Sequence, residues 1–466
     1  MKSLPQYLMS LIVVLQLVVP SDAAGWKAGG AKQVITPPQF MPMAGYASRG
    51  SRHAESKLTE LWAKACVLED AAGERAAIVT LDLIGMERSL GEAICRQLEE
   101  QHGLKRHQIS LCTSHTHTGP IVQNNLRPMY EKVLTSEDRK LVVDYSKFVE
   151  ESVVDIVGQA LKSLAPAEVG WTSGKATFAV NRRNNPEKEV PALREAGMLK
   201  GPFDHDVPVL AVRQAGKLTA VVFGYACHNT TLGTFEWSGD YAGFAQLAVE
   251  AAEPGCVALY WAGCGGDQNP LPRREVALAK KYGSELAAGV IAALEQGVRP
   301  LPAKLQLDYQ EIDLDFDGLP TRADLERDAN SSNIYVSGRA TALLARLDAG
   351  KPLSPSYPYP IVVWSLGDEV TWVVLGGEVV VDYAVRIKDE LGDEALHNTN
   401  VWVAAYSNDV MAYIPSRRVL GEGGYEGGGA MVYYGLPSAW APDVEERIIT
   451  EVHRQAKSPT EKPESR

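Results

Sequence analysis

Apolar residues fall into short blocks separated by stretches in which they recur at helical spacing, and this alternation runs through most of the chain. The blocks Ala76–Leu83, Ile109–Thr113, Val207–Arg213, Ala220–Tyr225, Val257–Trp261, Ile361–Leu366, Thr371–Leu375 and Val401–Tyr406 predict strands. Between them, Gly91–His102, Tyr145–Leu164, Arg274–Gln296 and Asp382–Leu391 predict helices. A strand, a helix and a strand in succession between Ala76 and Thr113 predict neighbouring parallel strands joined by a crossover. The pattern is that of an α/β body, with central β-sheet layers and helices outside. Periodicity alone does not separate two packed sheets from one large mixed sheet. No internal repeat or domain boundary interrupts the rhythm, so a single domain over residues 25–455 is expected, with Ala456–Arg466 as a polar tail. Lys351–Pro360 reads as a surface connection, and the long polar stretch Asn181–Gly201 as a loop able to cover a cleft.

With 466 residues and 45% hydrophobic content, the chain can bury a large core. Its net charge of -12 arises without long runs of either sign, which argues against nucleic acid and anionic membranes as partners. Lys2, the apolar run Leu8–Val19 and the small residues up to Ala24 have the make-up of a signal peptide over residues 1–24. The run falls short of the ~20 residues that span a bilayer, and no later stretch is long and apolar enough. An exported protein, periplasmic or secreted, without a stable membrane span is expected. The six cysteines form no CxxC pair, so neither a thiolate metal cage nor a redox motif is indicated.

The sharpest local signal is Thr113–Pro120 (TSHTHTGP), where His115 and His117 stand two apart at the end of a predicted strand. In extended chain both imidazoles would face one cavity, a common way to offer ligands to a metal. His228 likewise follows an apolar run, at the start of HNTTLG. Glu378 follows Gly376 and Gly377 after another predicted strand, a setting that turns a carboxylate toward a crevice at strand ends. Two histidines and a glutamate would give zinc three ligands and leave a position for water. The glycine-rich segments Gly263–Pro270 (GCGGDQNP) and Gly421–Gly429 (GEGGYEGGG) lack a phosphate-loop ending and a strand–helix fingerprint, which excludes them as nucleotide loops.

These segments together resemble the neutral, non-lysosomal ceramidase family over roughly Gly25 to Ala441. The carriers are GYASRGS at Gly45–Ser51, TSHTHTGP, the NRR at Asn181–Arg183, HNTT with SGDYAGFA at Ser238–Ala245, GGDQNP, GGE, and the pair Tyr413 and Tyr425. The resemblance implies two packed sheets and a zinc ion (Zn2+) held by His115, His228, Glu378 and Tyr413. It implies that His117 and Tyr425 hydrogen-bond the reacting centre and that Arg182 contacts the substrate's polar head. The family's Gly-Asp-x-Ser-Pro segment carries a serine important for activity; Asn269 stands there in this chain. The family's additional C-terminal β-domain has no counterpart in the sequence given.

The mechanism expected from these residues is metal-assisted hydrolysis of an amide or ester, with His117 as the proton-transfer group. Tyr425 and Asn269 would stabilise the developing oxyanion, and Asp240 or Asp267 would orient an imidazole. The substrate is expected to be a small molecule or lipid: ceramide or a related N-acyl lipid, or a different amide, lactone or ester on the same scaffold. A non-catalytic metal-binding relative is the third reading, because of Asn269. Oligomeric state is not encoded legibly.

Overall fold

The computed structural model describes residues 25–457; the expected signal peptide at 1–24 and tail residues 458–466 lie outside the described residues. The apolar blocks form strands, with Arg75–Leu81 and Ile109–Thr113 pairing in parallel as the strand–helix–strand order predicts. The larger sheet runs, in spatial order, Val257–Ala262, Lys217–Tyr225, Asp206–Gln214, Ala165–Lys175, Trp26–Val34, Trp62–Glu69, Arg75–Leu81 and Ile109–Thr113. Its two end pairs are parallel and the pairs between them antiparallel. The smaller sheet runs Leu305–Asp315, Ser356–Leu366, Val370–Leu375 and Val401–Ala404, with its last pair parallel.

Period-two alternation decides what each face touches. On strand Asp206–Gln214, Leu210 and Val212 join a core with Trp261, Trp364, Trp372 and Trp402, residues drawn from both sheets. The two sheets therefore pack face to face, as the family resemblance implies. Val207, Val209 and Ala211, which point the other way, meet the helices Asp240–Ala252 and Val276–Gln296. At the other end of the larger sheet, Ala77, Val79 and Leu81 pack on Arg88–His102 and Ser136–Lys162. Outward residues of the smaller sheet, such as Ile361 and Val373, meet Val381–Leu391 and Val444–Ala456. The layer order is helices, sheet, sheet, helices.

Two expected boundaries shift. Lys351–Pro360 is only partly a connection, because the strand begins at Ser356 and Tyr359 is fully buried. Its prolines, Pro358 and Pro360, are tolerated because the smaller sheet's next strand pairs only from Ile361 onward, leaving one edge of residues 356–360 free. The helix expected from Arg274 begins at Val276, and Arg274 itself has φ +90. No helix among the described residues is long and apolar enough to cross a membrane.

The end where the parallel pairs finish positions the site. Strands Ile109–Thr113, Lys217–Tyr225, Val257–Ala262, Val370–Leu375 and Val401–Ala404 all deliver their carboxyl ends to one region, where crevices form in α/β sheets. Residues 405–408 cross this region and tie the sheets together. Ala405 N donates to Ala262 O at 2.9 Å, Tyr406 N to Gly377 O at 2.9 Å, and Asn408 N to Leu111 O at 2.7 Å.

Candidate metal centre

His115 leaves its strand through a left-handed residue rather than an extended one, with φ +59. The extended-chain argument for a shared direction of His115 and His117 therefore fails. A turn achieves the same convergence, with their Nε2 atoms 3.1 Å apart. His228 reaches the same point from the end of Lys217–Tyr225, and the ring nitrogens of the three histidines lie within 4.8 Å of one another. Glu378 arrives from the smaller sheet by the turn that its paired glycines allow. Gly377 has φ +74, and a Cβ there would come within 2.7 Å of Ala412 O. The turn lets Glu378 pair in register with Tyr413 across a short parallel bridge.

The donor atoms are closely grouped. Glu378 Oε2 lies 3.2 Å from His115 Nε2 and 3.0 Å from His228 Nε2. Tyr413 Oη is 3.1 Å from His228 Nε2. His115, His228, Glu378 and Tyr413 are each at most 5% exposed. Backbone carbonyls orient two of the rings: His115 Nδ1 donates to Ile84 O at 2.6 Å, and His228 Nδ1 donates to Gly265 O. With the protons on Nδ1, both Nε2 atoms present lone pairs to the centre. Glu378 Oε2 is buried without a hydrogen-bond partner, so two lone pairs and a carboxylate oxygen face one another.

This donor set suits a cation. Ligands about 2.05 Å from a tetrahedral zinc stand roughly 3.3 Å apart. The observed separations of 3.0–3.2 Å are close to that value. Two neutral imidazoles and a carboxylate are ligand types that zinc accepts, a phenol is an uncommon one whose proton the ion would have to displace, and an orphaned carboxylate oxygen is what a missing cation would leave.

Burial is the leading influence on the titration of each of these groups. Burial would raise the Glu378 carboxyl, but its imidazole neighbours His115 and His228 outweigh this and hold it well below the usual range. Burial, with Arg182 nearby, lowers His228 to about 4. Burial and the other two imidazoles lower His117 well below its ordinary value. Burial and the Glu378 charge raise Tyr413.

His117 is seated by close packing on one side. Gly45 has φ +99, and a Cβ there would lie 2.5 Å from His117 Nδ1. The Tyr46 ring lies 4.7 Å from the His117 ring. Arg49, 5% exposed, donates to the carbonyls of Ala44, Thr234 and His117, and so fixes the backbone that carries the imidazole.

The remaining expected residues divide. Tyr425 lies 5.2 Å from the Tyr413 ring and is 46% exposed. Asn269, nearly buried, accepts from Arg182 Nη1 at 3.3 Å. Arg182 is heavily engaged within the protein, donating to Glu426 at 2.7 Å and to Tyr413 Oη at 3.2 Å. Neither aspartate considered as an imidazole partner has that role. Asp240 accepts from the backbone amides of Leu232 and Tyr241, and Asp267 from Val381 N and the side chains of Asn181 and Gln268. Carbonyl oxygens orient the rings instead.

Sequence reasoning missed two tyrosines. Tyr406 has φ +52, packs 4.3 Å from the His115 ring and places Oη 3.3 Å from His228 Nδ1. Its position at the end of a predicted strand, the signal that singled out His228, could have nominated it. Tyr434 donates to Glu378 Oε1, and nothing in its sequence surroundings marks it.

Comparison with known proteins bears on this geometry. The family described as "Neutral/alkaline non-lysosomal ceramidase, N-terminal" matches residues 26–271, more than half of the chain. Among solved structures, neutral ceramidase from Pseudomonas aeruginosa is similar with a TM-score of 0.68 at 19% identity, over 93% of this chain and 74% of that one. A structure described as ceramidase complexed with C2 has a TM-score of 0.69 at 18% identity, over 93% of this chain and 75% of that one. At such identities the likeness is one of fold. No curated protein sequence matches the chain at a significant level.

Proposed function

The chain belongs to the neutral/alkaline non-lysosomal ceramidase family, and from that premise we propose that it is a zinc-dependent hydrolase that cleaves the N-acyl amide bond of ceramide or a related compound. The observation that carries the metal is the unpartnered Glu378 Oε2, 3.2 Å from His115 Nε2 and 3.0 Å from His228 Nε2, with Tyr413 Oη 3.1 Å from the latter. His115, His228, Glu378 and Tyr413 would hold the ion. When bound, zinc supplies Lewis acidity, polarising a carbonyl oxygen and lowering the pKa of water toward ~7.

The chain's own residues supply the rest. His117, kept neutral by burial and by its imidazole neighbours, is the base available at the centre. Tyr425, 46% exposed, keeps its proton as a phenol ordinarily does below about pH 10, the more so for its partial burial and the Glu378 charge nearby, and so serves as a donor. Asn269 directs its carbonyl oxygen to Arg182, leaving the amide N–H groups as donors toward the cavity it lines. An amide cannot act as a nucleophile, so this reading needs no serine; Asn269 and Tyr425 would donate to the developing oxyanion. Export through the N-terminal segment belongs to the same proposal.

The test is zinc content together with hydrolysis of a fluorescent N-acyl-sphingosine, comparing the wild type with His115→Ala. About one zinc per chain, with activity abolished in the variant, supports the reading. Bound zinc without turnover moves the function to another substrate or to metal-dependent binding, and a metal-free wild type refutes it.

A further inference from the structure

A cavity of about 520 Å³ opens beside the centre, bounded in part by Arg182, Asn269 and Tyr425. Among its lining residues only Pro186 and Leu271 are aliphatic. A long alkyl chain gains about 0.8 kcal/mol for each methylene it buries, and this wall offers little to bury against. What it offers is charge.

Arg182 and Arg183 share Glu426, at 2.7 and 2.6 Å. Arg273 also faces the cavity, where its Nε and Nη2 donate to Glu187, a carboxylate 44% exposed that an incoming anion would have to displace. Its neighbour Arg274 is exposed, and among the described residues it has no carboxylate within 4 Å. The Arg274 guanidinium stacks 4.8 Å over the Tyr46 ring, which lies 4.7 Å from His117. Arg274 N donates to Thr231 O at 2.7 Å, in a backbone conformation with φ +90. Backbone held in so sparsely populated a region persists only where its surroundings fix it, as the hydrogen bond to Thr231 does here. Arg49, 4.7 Å from the Tyr46 ring, donates only to carbonyls. The cavity itself is lined by Arg182, Arg183 and Arg273 against Glu187 and Glu426, and Arg274 and Arg49 add two guanidinium groups beside Tyr46, in a chain whose net charge is -12.

We propose that Arg273 and Arg274 receive an anionic group of the substrate, so that the amide cleaved belongs to an N-acyl compound whose amine part carries a carboxylate or phosphate, rather than to a neutral lipid amine such as sphingosine. This rests on the amide-hydrolase reading above. Water adds across the C–N bond, the carbonyl carbon gains the oxygen, and the anionic amine leaves with the proton. Guanidinium forks bind carboxylate and phosphate through paired charge-assisted hydrogen bonds.

The test uses the metal-loaded protein with N-lauroylglycine, N-lauroylethanolamine phosphate and neutral N-lauroylethanolamine, with a C12 ceramide as control. The expected result is a kcat/KM at least about tenfold higher for an anionic amide than for the neutral one, with the ratio falling toward 1 in Arg273→Ala and in the exposed Arg274→Ala. Which anion is preferred separates carboxylate from phosphate. Equal rates in the wild type, or an unchanged ratio in both variants, overturn the proposal. Ceramide cleavage without cleavage of the anionic amides overturns it while leaving the hydrolase reading intact. If no amide is cleaved, the hydrolase reading fails, and calorimetric binding of the same three compounds decides: tighter anion binding lost in Arg274→Ala upholds the anion site, and equal binding refutes it.

Discussion

Replacing Glu378 with glutamine should stabilise the protein without metal and reduce what it gains from zinc. In the substituted side chain, Oε1 can still accept from Tyr434, while an NH2 group takes the place of Oε2. Its two hydrogens would then face His115 Nε2 and His228 Nε2, which lie 3.2 and 3.0 Å from the present oxygen. Two hydrogen bonds replace a buried, unpartnered carboxylate oxygen, so without metal the variant should be more stable by about 1–3 kcal/mol. With zinc that advantage should vanish or reverse. Free zinc at 1,000 times the dissociation constant adds about 4 kcal/mol to the wild type. A loss of about 100-fold in affinity on removing an anionic ligand would take away roughly 3 kcal/mol of that. Urea denaturation at pH 8, above the ordinary histidine range, with chelator and with buffered zinc, measures both effects. A variant that gains as much from zinc as the wild type would refute the ligand role of Glu378. A chelated variant less stable than the chelated wild type would refute the claim that its oxygen lacks a partner.

Asn269→Ala should lower kcat by about 10²–10³ with little change in KM, as expected for a lost oxyanion donor; a change confined to KM in steady-state kinetics would assign it to ground-state binding. Gly45→Ala places a methyl group 2.5 Å from His117 Nδ1 in a residue with φ +99, and should destabilise the fold by more than about 1 kcal/mol while lowering activity. Burial raises the Asp409 carboxyl to about 6, against an unfolded value near 3.9. Its contribution is therefore fully present below about pH 4 and lost as pH rises through 6, amounting to at most about 3 kcal/mol. Asp409→Asn keeps an acceptor for the Tyr357 hydroxyl and should remove that part of the pH dependence of denaturation between pH 4 and 7; an unaltered profile would show that Asp409 ionises normally.

The legible part of this protein was the part written in short-range pattern. Strands buried on both faces announced themselves as apolar blocks, and histidines or a glutamate directly after such blocks marked His115, His228 and Glu378. Strand Leu305–Asp315 escaped notice because most of its residues are partly or fully exposed and charges interrupt the alternation. Tyr413 entered only through family resemblance, since a lone tyrosine carries no local sign that it will meet an imidazole 185 residues away. The engagement of Arg182 by Glu426 spans 244 residues, so sequence could suggest a polar contact for Arg182 but not that its guanidinium is already committed to other side chains. Tyr406 shows a further limit: its place at a strand end was a usable sign, but after an apolar run an aromatic residue reads as core, and the left-handed turn that brings it to His228 is not written in composition.

The seam at residues 405–408, where two sheets are tied together, also sets the order in which the centre can come into being. His115 and His228 follow strands of the larger sheet, while Glu378 and Tyr413 pair in a short two-stranded sheet of their own beyond the smaller one, so the four side chains meet only where these elements are docked. The nascent chain offers a passing copper or nickel ion isolated side chains, where raw affinity would decide the winner. The finished protein presents a cage whose spacing is already set by backbone carbonyls on two imidazoles. Were the centre to take up zinc as proposed, loading would follow docking of the sheets, when geometry as well as raw affinity bears on which ion is kept.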